Sequence, residues 1–169
     1  MLNTDGGSIY GPARDFSISG SAKLGLLDMA IAEAAKQGRR YTPDERVEAG
    51  YFFRSDHFPF AKRGVPAISW RPGIDLVQGG KARGKALADE FTAKRYHQPD
   101  DEFDPSWDFS GLVQDAQILH RVGRDLANSS AWPNWSEDSE FRSVRDQSAG
   151  ERGGASTPPP TPPAKGERG

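Results

Sequence analysis

Cysteine is absent from the 169-residue chain. Disulfides, thiol nucleophiles and cysteine-based zinc sites are therefore excluded, and the redox compartment cannot be read from cysteine usage. A charge excess of one sign is also missing, because 22 basic and 24 acidic side chains leave a formal net charge of -2. Without a basic field to hold a phosphate backbone, we expect no nucleic-acid partner.

Long apolar runs are missing as well. No stretch approaches the roughly 18 apolar residues that a membrane span needs. The first residues, MLNTDGGSIYGPARD, lack the basic start and apolar stretch of a secretory signal. Hydrophobic residues make up 35% of the chain and the mean hydropathy is -0.73, which is low for a fully packed globule. We therefore expect one domain of about 100–150 residues and some chain outside its core.

Composition divides the chain after about Asn128. We predict a domain over residues 1–130 and an aromatic extension over residues 131–146. The extension is expected to pack back onto the domain, because its two tryptophans and Phe141 are costly to leave in water. Residues 147–169, which include the run STPPPTPP, predict a disordered tail that cannot form a core.

The hydrophobic pattern alternates between strands and helices, which predicts an α/β sheet with helices on its faces. Two strands are expected, over Asp15–Ser19 and Val65–Trp70, and only two or three are evident, so the sheet looks incomplete. A helix capped by Ser21 and stopped at Gly38 should lie between them. Its expected apolar face is Leu24, Leu27, Ile31 and Ala35.

Three further segments complete this prediction. A short helix is expected over Asp56–Arg63, with the carboxylate of Asp56 capping its start and Gly64 at its end. Arg71–Lys94 is rich in Gly, Lys and Ala and predicts a loop with at most a turn of helix. The last helix should begin near Asp104-Pro105-Ser106. Its expected apolar face is Leu112, Ala116, Leu119, Val122 and Leu126.

The three histidines differ in the functional roles that their sequence surroundings allow. His120 reads as an ordinary residue of the last helix. Ser55-Asp56-His57 suggests a nucleophilic triad, but three consecutive side chains cannot converge, because neighbours at a helix start point about 100° apart. His97 lies in a loop beside Asp100, Asp101, Glu102 and Asp104, any of which could orient a metal-ligating imidazole. From these residues alone, a metal ligand and a solvated loop residue both remain open.

Three segments carry a resemblance to a known family. They are NTDGGSIYGPARDFSISG, RSDHFPFAKRGVPA and YHQPDDEFDP, in that order within about residues 1–130. Together they resemble the co-catalytic zinc aminopeptidases, metallopeptidase family twenty-eight. This family includes bacterial leucyl and aminoacyl aminopeptidases, glutamate carboxypeptidase and, more distantly, glutaminyl cyclase. The resemblance implies a three-layer α/β fold with a central mixed sheet, two zinc ions and cleavage of N-terminal peptide bonds by a metal-activated water.

The resemblance also implies roles for individual residues. His97 matches the last zinc-ligand histidine of the family. Tyr96 matches the neighbouring tyrosine, whose phenol stabilises the oxyanion of the tetrahedral intermediate. Arg54 falls near the region that lines the pocket for the amino end of the substrate. Asp56 and His57 match positions that support the site without binding metal.

The resemblance covers only the C-terminal part of the family pattern. The other family ligands and the general base, namely a His, a bridging Asp, a Glu-Glu pair and a second Asp, match positions upstream of Met1. We therefore expect a peptidase fold that is incomplete at its N-terminus and inactive alone, since one histidine cannot hold two zinc ions with useful affinity. The intact parent would be secreted or periplasmic, with a peptide substrate and the missing N-terminal half as partners.

Two alternatives stay open. One is a non-catalytic binding module derived from the same fold, with Trp132–Phe141 as its contact surface. Its exposed sheet edge would need a partner. The other is a transferase of the glutaminyl cyclase kind, which shares the fold but resembles the local motifs less closely.

Overall fold

A computed structural model of the chain describes residues 1–21 and 23–150. Its four strands form one mixed sheet in the order β1-β4-β2-β3. The strands are β1 (Leu2–Thr4), β2 (Asp15–Ile18), β3 (Arg40–Tyr41) and β4 (Ile68–Pro72). β1 runs parallel to β4 and β2 parallel to β3, whereas β2 and β4 are antiparallel. This mixed sheet, together with the helices of the chain, confirms the predicted α/β class.

Five α-helices accompany the sheet in the described residues: α1 (Gly25–Ala35), α2 (Phe58–Ala61), α3 (Gly80–Lys94), α4 (Ser110–Ala127) and α5 (Arg142–Gln147). Two short 3-10 helices cover Val47–Ala49 and Tyr51–Arg54. Among the helices described, none combines the length and the apolar character that crossing a membrane requires.

The two faces of the sheet differ in character because side chains alternate along a strand. Phe16, Ile18, Ile68 and Trp70 share the apolar face, where Phe16 and Trp70 stack with their ring centroids 4.2 Å apart. Buried residues of α1 and α4 pack in the same core. The opposite face is polar, with the register pairs Asn3–Ser69 and Ser17–Arg71.

A buried ion pair ties α4 to the sheet. The guanidinium of Arg39 donates to the carboxylate of Asp115 at 2.7 Å and to the backbone oxygen of Asp15 at 2.7 Å. Both side chains of the pair are almost completely buried, with exposures of 2% and 4%. Burial raises the pKa of the Asp115 carboxyl, and the neighbouring Arg39 opposes that effect.

The segment after α4 contributes to the same core. Trp135 is 1% exposed, and its indole N–H donates to the backbone oxygen of Gly64 at 3.1 Å. Its backbone forms an isolated bridge with Leu24, and Arg142 donates to its carbonyl at 2.9 Å. Residues 131–147 therefore share a core with the sheet and α1, and they include helix α5, which the sequence did not predict.

The long helices present the predicted faces in part, since Leu24, Leu27 and Val122 are buried and Ile31, Leu119 and Leu126 pack against the core. On α1 the buried residues include Leu26, Leu27, Ala30 and Ala34, while Ala35 is exposed. On α4 they are Gly111, Asp115, Ile118 and Val122, with Leu112 exposed. The prediction for α4 failed at Leu112 and Ala116, which are exposed. It also missed Asp115, a polar residue whose inward position only its pairing with Arg39 makes tolerable.

Both predicted caps of the long helices were wrong. Helix α1 begins after Leu24, and no side chain caps it, so Ser21 has no such role. Helix α4 begins after Phe109. Asp104 instead holds a preceding turn, accepting hydrogen bonds from the backbone N–H and the hydroxyl of Ser106. Gly38 does follow the end of α1 with a φ of +70°, as a stop signal should.

The Asp56–Arg63 helix is a single turn, α2, whose N-cap is His57. No side chain caps it, so the predicted capping role of Asp56 was wrong. The strand predicted at Val65–Trp70 begins three residues later, at Ile68. The strands β1 and β3 carried too few residues to be recognised.

The predicted loop over Arg71–Lys94 was also wrong, since it contains the 15-residue helix α3. This helix is polar on almost all sides, and its one buried residue is Gly84. A Cβ at Gly84 would lie 2.0 Å from the backbone oxygen of Ile74, so glycine permits the close approach there. Most of the predicted tail, residues 151–169, lies outside the described residues.

Candidate functional site

The residues predicted to act in chemistry, Tyr96 and His97, lie in the loop after α3. Their rings stack with centroids 3.9 Å apart and an interplanar angle of 19°. The Tyr96 backbone N–H donates to the carbonyl of Phe91 at 2.9 Å, which continues the end of the helix. His97 has a φ of 57°, an uncommon conformation for a residue with a side chain. The pair is exposed, and Tyr96 is 51% accessible.

The loop after this pair is anchored by Arg95. Its guanidinium pairs with Asp104 at 3.3 Å and lies over the ring of Trp107 at 5.9 Å. The hydrogen bonds from Ser106 and the pairing with Arg95 hold the pKa of the Asp104 carboxyl below its usual range. Asp104 therefore supports the loop directly. Across the described part of the chain, no hydrogen bond joins it to the imidazole of His97.

A metal site can be tested against these residues. Within residues 1–21 and 23–150, no three or more His, Asp or Glu side chains come together as potential metal ligands. His97 therefore offers one imidazole donor, whereas zinc sites need three or four ligands. The described residues do not fit a complete zinc centre by themselves.

A polar cavity of about 610 Å³ lies beside the same loop. Tyr10, Phe91, Arg95, Asp104 and Trp107 are among its lining residues, and neither Tyr96 nor His97 is. The Tyr10 hydroxyl donates to the carbonyl of Leu87 at 3.2 Å, and burial raises the pKa of this phenol. The cavity thus adjoins the loop without including the predicted site residues.

Arg54 lies away from this cavity, on the surface above the polar face of the sheet. It ends the second 3-10 helix, and its guanidinium lies 5.8 Å from the ring centroid of Tyr51. Arg46 and Arg71 approach the same ring, at 5.7 Å and 4.8 Å. Arg71 belongs to β4 and points to the polar side by the alternation of that strand.

A hydrogen-bonded group next to Arg54 connects the sheet with this surface. The Asn3 amide donates to Ser55 at 2.9 Å, to Asp5 at 3.0 Å and to Ser69 at 3.3 Å. The hydroxyl of Ser55 donates to the Asp5 carboxylate at 2.6 Å. These bonds fix the backbone of the segment that carries Arg54.

Asp56 and His57 follow directly and differ in environment. Asp56 is exposed, while the imidazole of His57 is fully buried and packs edge-on against Phe52 with centroids 4.6 Å apart. Among the described residues, neither ring nitrogen of His57 has a hydrogen-bond partner. Burial lowers the pKa of His57, and the carboxylates of Asp5 and Asp56 oppose that shift.

The candidate residues therefore fall into two groups. Tyr96 and His97 stack on each other, and Arg54 joins a second group around Tyr51. In the described residues no hydrogen bond, ion pair or ring contact links the two groups. Sequence reasoning missed Tyr51, Arg46 and Arg71. The alternation in ISWR could have placed Ser69 and Arg71 on one face, but no pattern relates Arg46 to Tyr51.

Comparison with known families supplies the class of protein. The family model described as Peptidase family M28 matches residues 1–119, more than two thirds of the chain. No curated protein and no solved structure gives a significant match. The matched residues include the sheet, Arg54 and the Tyr96-His97 loop.

The chain belongs to peptidase family M28. This is a family of metallopeptidases, which are hydrolases and are generally zinc-dependent. The match confirms the predicted family, and it ends before the segment that contains Trp135.

Proposed function

We propose that this chain forms the C-terminal part of a zinc-dependent aminopeptidase, which releases residues from the amino end of peptides. The observation that carries the proposal is the stacked, exposed Tyr96-His97 pair inside the residues that the family model matches. His97 is one ligand of a zinc centre that holds two ions in the complete enzyme. The remaining ligands and the general base come from outside the described residues.

The other residues have supporting roles in this proposal. The Tyr96 phenol donates a hydrogen bond to the scissile carbonyl oxygen as negative charge develops on it, which is the usual role of an oxyanion donor. Arg54 binds the substrate. His57, in the core, and Asp56 support the segment that carries Arg54. The proposal includes a three-layer fold, of which α1 and α4, packed on the apolar face of the sheet, supply one helical layer.

A chimera tests the residue roles. An active member of family M28 receives residues 1–150 of this chain, which include the core residue Trp135, in place of its own matching C-terminal part. Hydrolysis of leucine p-nitroanilide is then measured for the parent chimera and for single variants. We expect Tyr96→Phe to lower kcat by roughly 10²–10³-fold, and His97→Ala to abolish most activity. His120→Ala removes an exposed histidine from α4 and should change nothing.

Two results would count against the proposal. Full activity of the His97→Ala chimera would remove that histidine from the site, and unchanged kcat in Tyr96→Phe would remove the oxyanion role. The chain by itself is proposed to be inactive. Zinc-dependent hydrolysis by the purified chain would contradict that part of the proposal while supporting a peptidase.

A non-catalytic binding module is the second candidate. It is favoured by the core that the described residues enclose, together with the absence among them of a metal-binding group. The contact surface expected at Trp132–Phe141 is small, because Trp135 is buried and Phe141 packs against the core, leaving Trp132 46% exposed. A monomeric chain that unfolds cooperatively in the presence of a chelator, and whose chimera is inactive, would favour this module.

A further inference from the structure

Three arginines surround a single aromatic ring on the polar side of the sheet. The guanidinium carbons of Arg46, Arg54 and Arg71 lie between 4.8 and 5.8 Å from the ring centroid of Tyr51. They come from three separate segments: the loop after β3, the second 3-10 helix and strand β4. The fold therefore gathers three positive charges that are distant in the sequence. This gathering is electrostatically unfavourable unless something opposes the repulsion.

Part of that opposition comes from the Tyr51 ring, whose negative face attracts guanidinium groups. In the part of the chain that the structure describes, no ion pair with a carboxylate offsets the remaining repulsion. Within residues 1–21 and 23–150, no guanidinium of the three forms an ion pair or donates a hydrogen bond. By contrast, other cations in the described residues do pair with carboxylates, including Arg39, Arg40 and Lys81.

The nearby carboxylates are already engaged with other groups. Arg46 and Arg71 line a cavity of about 210 Å³, next to four acidic residues. Asp15 accepts from the backbone N–H of Asp75, and Asp44 accepts from the backbone N–H groups of Gly20 and Arg46. Glu45 pairs with Lys81, and Asp89 pairs with Lys85. The cavity therefore keeps two arginines with unused donors.

We propose that Arg46, Arg54 and Arg71 form a subsite for a carboxylate of the peptide substrate. The guanidinium fork matches a carboxylate with two parallel hydrogen bonds, so a carboxylate would use the free donors and relieve the repulsion. A cationic amino terminus would be repelled by the same cluster. Arg54 therefore suits an acidic part of the substrate better than the amino end that the family resemblance implies.

This inference rests on the proposed function, because it names the substrate class of the same site. The carboxylate can come from an acidic side chain or from the free C-terminus of a short peptide. Four dipeptides separate these sources: Glu-Ala-amide, Gln-Ala-amide, Ala-Ala and Ala-Ala-amide. Binding to the purified full chain is measured by calorimetry and by the arginine Nε–H signals in NMR, with a chelator present.

We expect at least one carboxylate peptide to bind about tenfold more tightly than its amide counterpart, as a hydrogen-bonded charge should. A preference for Glu-Ala-amide over Gln-Ala-amide assigns the subsite to acidic side chains. A preference for Ala-Ala over Ala-Ala-amide assigns it to the C-terminus of short peptides. Equal affinities within both pairs would overturn the inference, and this comparison needs no variant.

Matched variants locate the binding. Arg54→Gln and Arg71→Gln should each weaken binding of the preferred peptide by about tenfold or more. Arg63→Gln removes the same charge from an exposed position on the same stretch of chain, outside the cluster, and should have no effect. An equal loss in Arg63→Gln would show a general charge effect and would contradict the subsite.

The outcome is separable from that of the proposed function. Binding without metal or hydrolysis can succeed while the chimera is inactive, in which case the subsite stands and the peptidase proposal fails. An active chimera whose arginines do not distinguish carboxylate from amide would leave the peptidase proposal standing and reject the subsite.

Discussion

His57 is a fully buried imidazole, and its ring nitrogens have no hydrogen-bond partners among the described residues. Such a group is costly to bury and more costly to charge, because protonation would place an ion in an apolar environment. Its position between Ser55-Asp56 and α2 resembles part of a catalytic triad in the sequence alone. Its surroundings, the edge of Phe52 and the core beyond it, assign it to packing.

This environment predicts a pH dependence of stability. The folded-state pKa of His57 is lowered by burial. Below the unfolded-state pKa of about 6.5, the unfolded chain therefore takes up a proton that the folded chain does not. This proton alone should reduce the free energy of unfolding by up to about 1.4 kcal/mol per pH unit as the pH falls below that value, with no effect above it.

Urea unfolding between pH 8 and pH 5 measures this contribution. His57→Leu should flatten the fall in stability by that amount, while His120→Leu, at an exposed position, should leave it unchanged. Equal pH profiles for the wild type and His57→Leu would show that His57 titrates normally in the folded chain.

Gly64 shows a second constraint at the scale of single residues. Its φ is +77°, and a Cβ there would lie 2.6 Å from the backbone nitrogen of Arg145. Gly38 has a similar φ of +70°, but nothing lies within 4 Å of its Cβ position. The two glycines thus share the backbone strain and differ in the clash with α5.

The comparison predicts unequal costs for the same substitution. Gly38→Ala should destabilise the chain by about 1 kcal/mol through backbone strain alone. Gly64→Ala should cost about 2–5 kcal/mol, because it also displaces α5. Urea midpoints measure the two costs. The change in tryptophan fluorescence that follows exposure of the buried Trp135 reports whether the extension detaches. Equal costs would mean that α5 can shift away from residue 64 without a measurable loss of stability.

At the scale of elements, the Arg39–Asp115 pair decides how α4 lies against the sheet. The pair joins the middle of α4 to the residue before β3, and Arg39 also holds the backbone of β2. Removing one partner would leave the other charge buried without compensation. Replacing both by apolar residues of similar size would leave no charge to compensate.

Asp115→Ala is therefore expected to lower the free energy of unfolding by about 3–5 kcal/mol. The double variant Arg39→Met with Asp115→Leu should recover most of that loss. Glu90→Ala breaks an exposed pair with Lys94 and should leave the free energy of unfolding nearly unchanged, because solvent screens such a pair. Chemical denaturation of the four proteins measures these differences, and a loss below 1 kcal/mol in Asp115→Ala would mean that the pair contributes little.

The strands and helices show how much of the fold can be predicted from the sequence. Strand β2 has the expected position because DFSI alternates clearly between polar and apolar residues. Helices α1 and α4 were found because both are long and carry apolar residues at helical spacing. Helix α3 was missed because its one buried residue is Gly84, which leaves no apolar stripe to read. Strand β3 has two residues, too few for a periodic pattern.

At the scale of the whole molecule, the motifs identified the family where periodicity could not. YHQPDDEFDP and RSDHFPFAKRGVPA lie within the residues that family M28 matches, and they contain Tyr96, His97 and Arg54. The arginine cluster was beyond prediction because Arg46, Arg54 and Arg71 meet only after the sheet and the two 3-10 helices bring them to Tyr51. Local sequence shows the chemistry available, and the fold decides which groups meet.

The central claim is that His97 is a zinc ligand in a site completed by residues beyond those described. The most direct measurement is the zinc content per chain of the chimera that carries residues 1–150, determined by elemental analysis after dialysis. We predict two zinc ions in the parent chimera, in Tyr96→Phe and in His120→Ala, and about one in His97→Ala. Two zinc ions in His97→Ala, or an equal loss in His120→Ala, would contradict the claim.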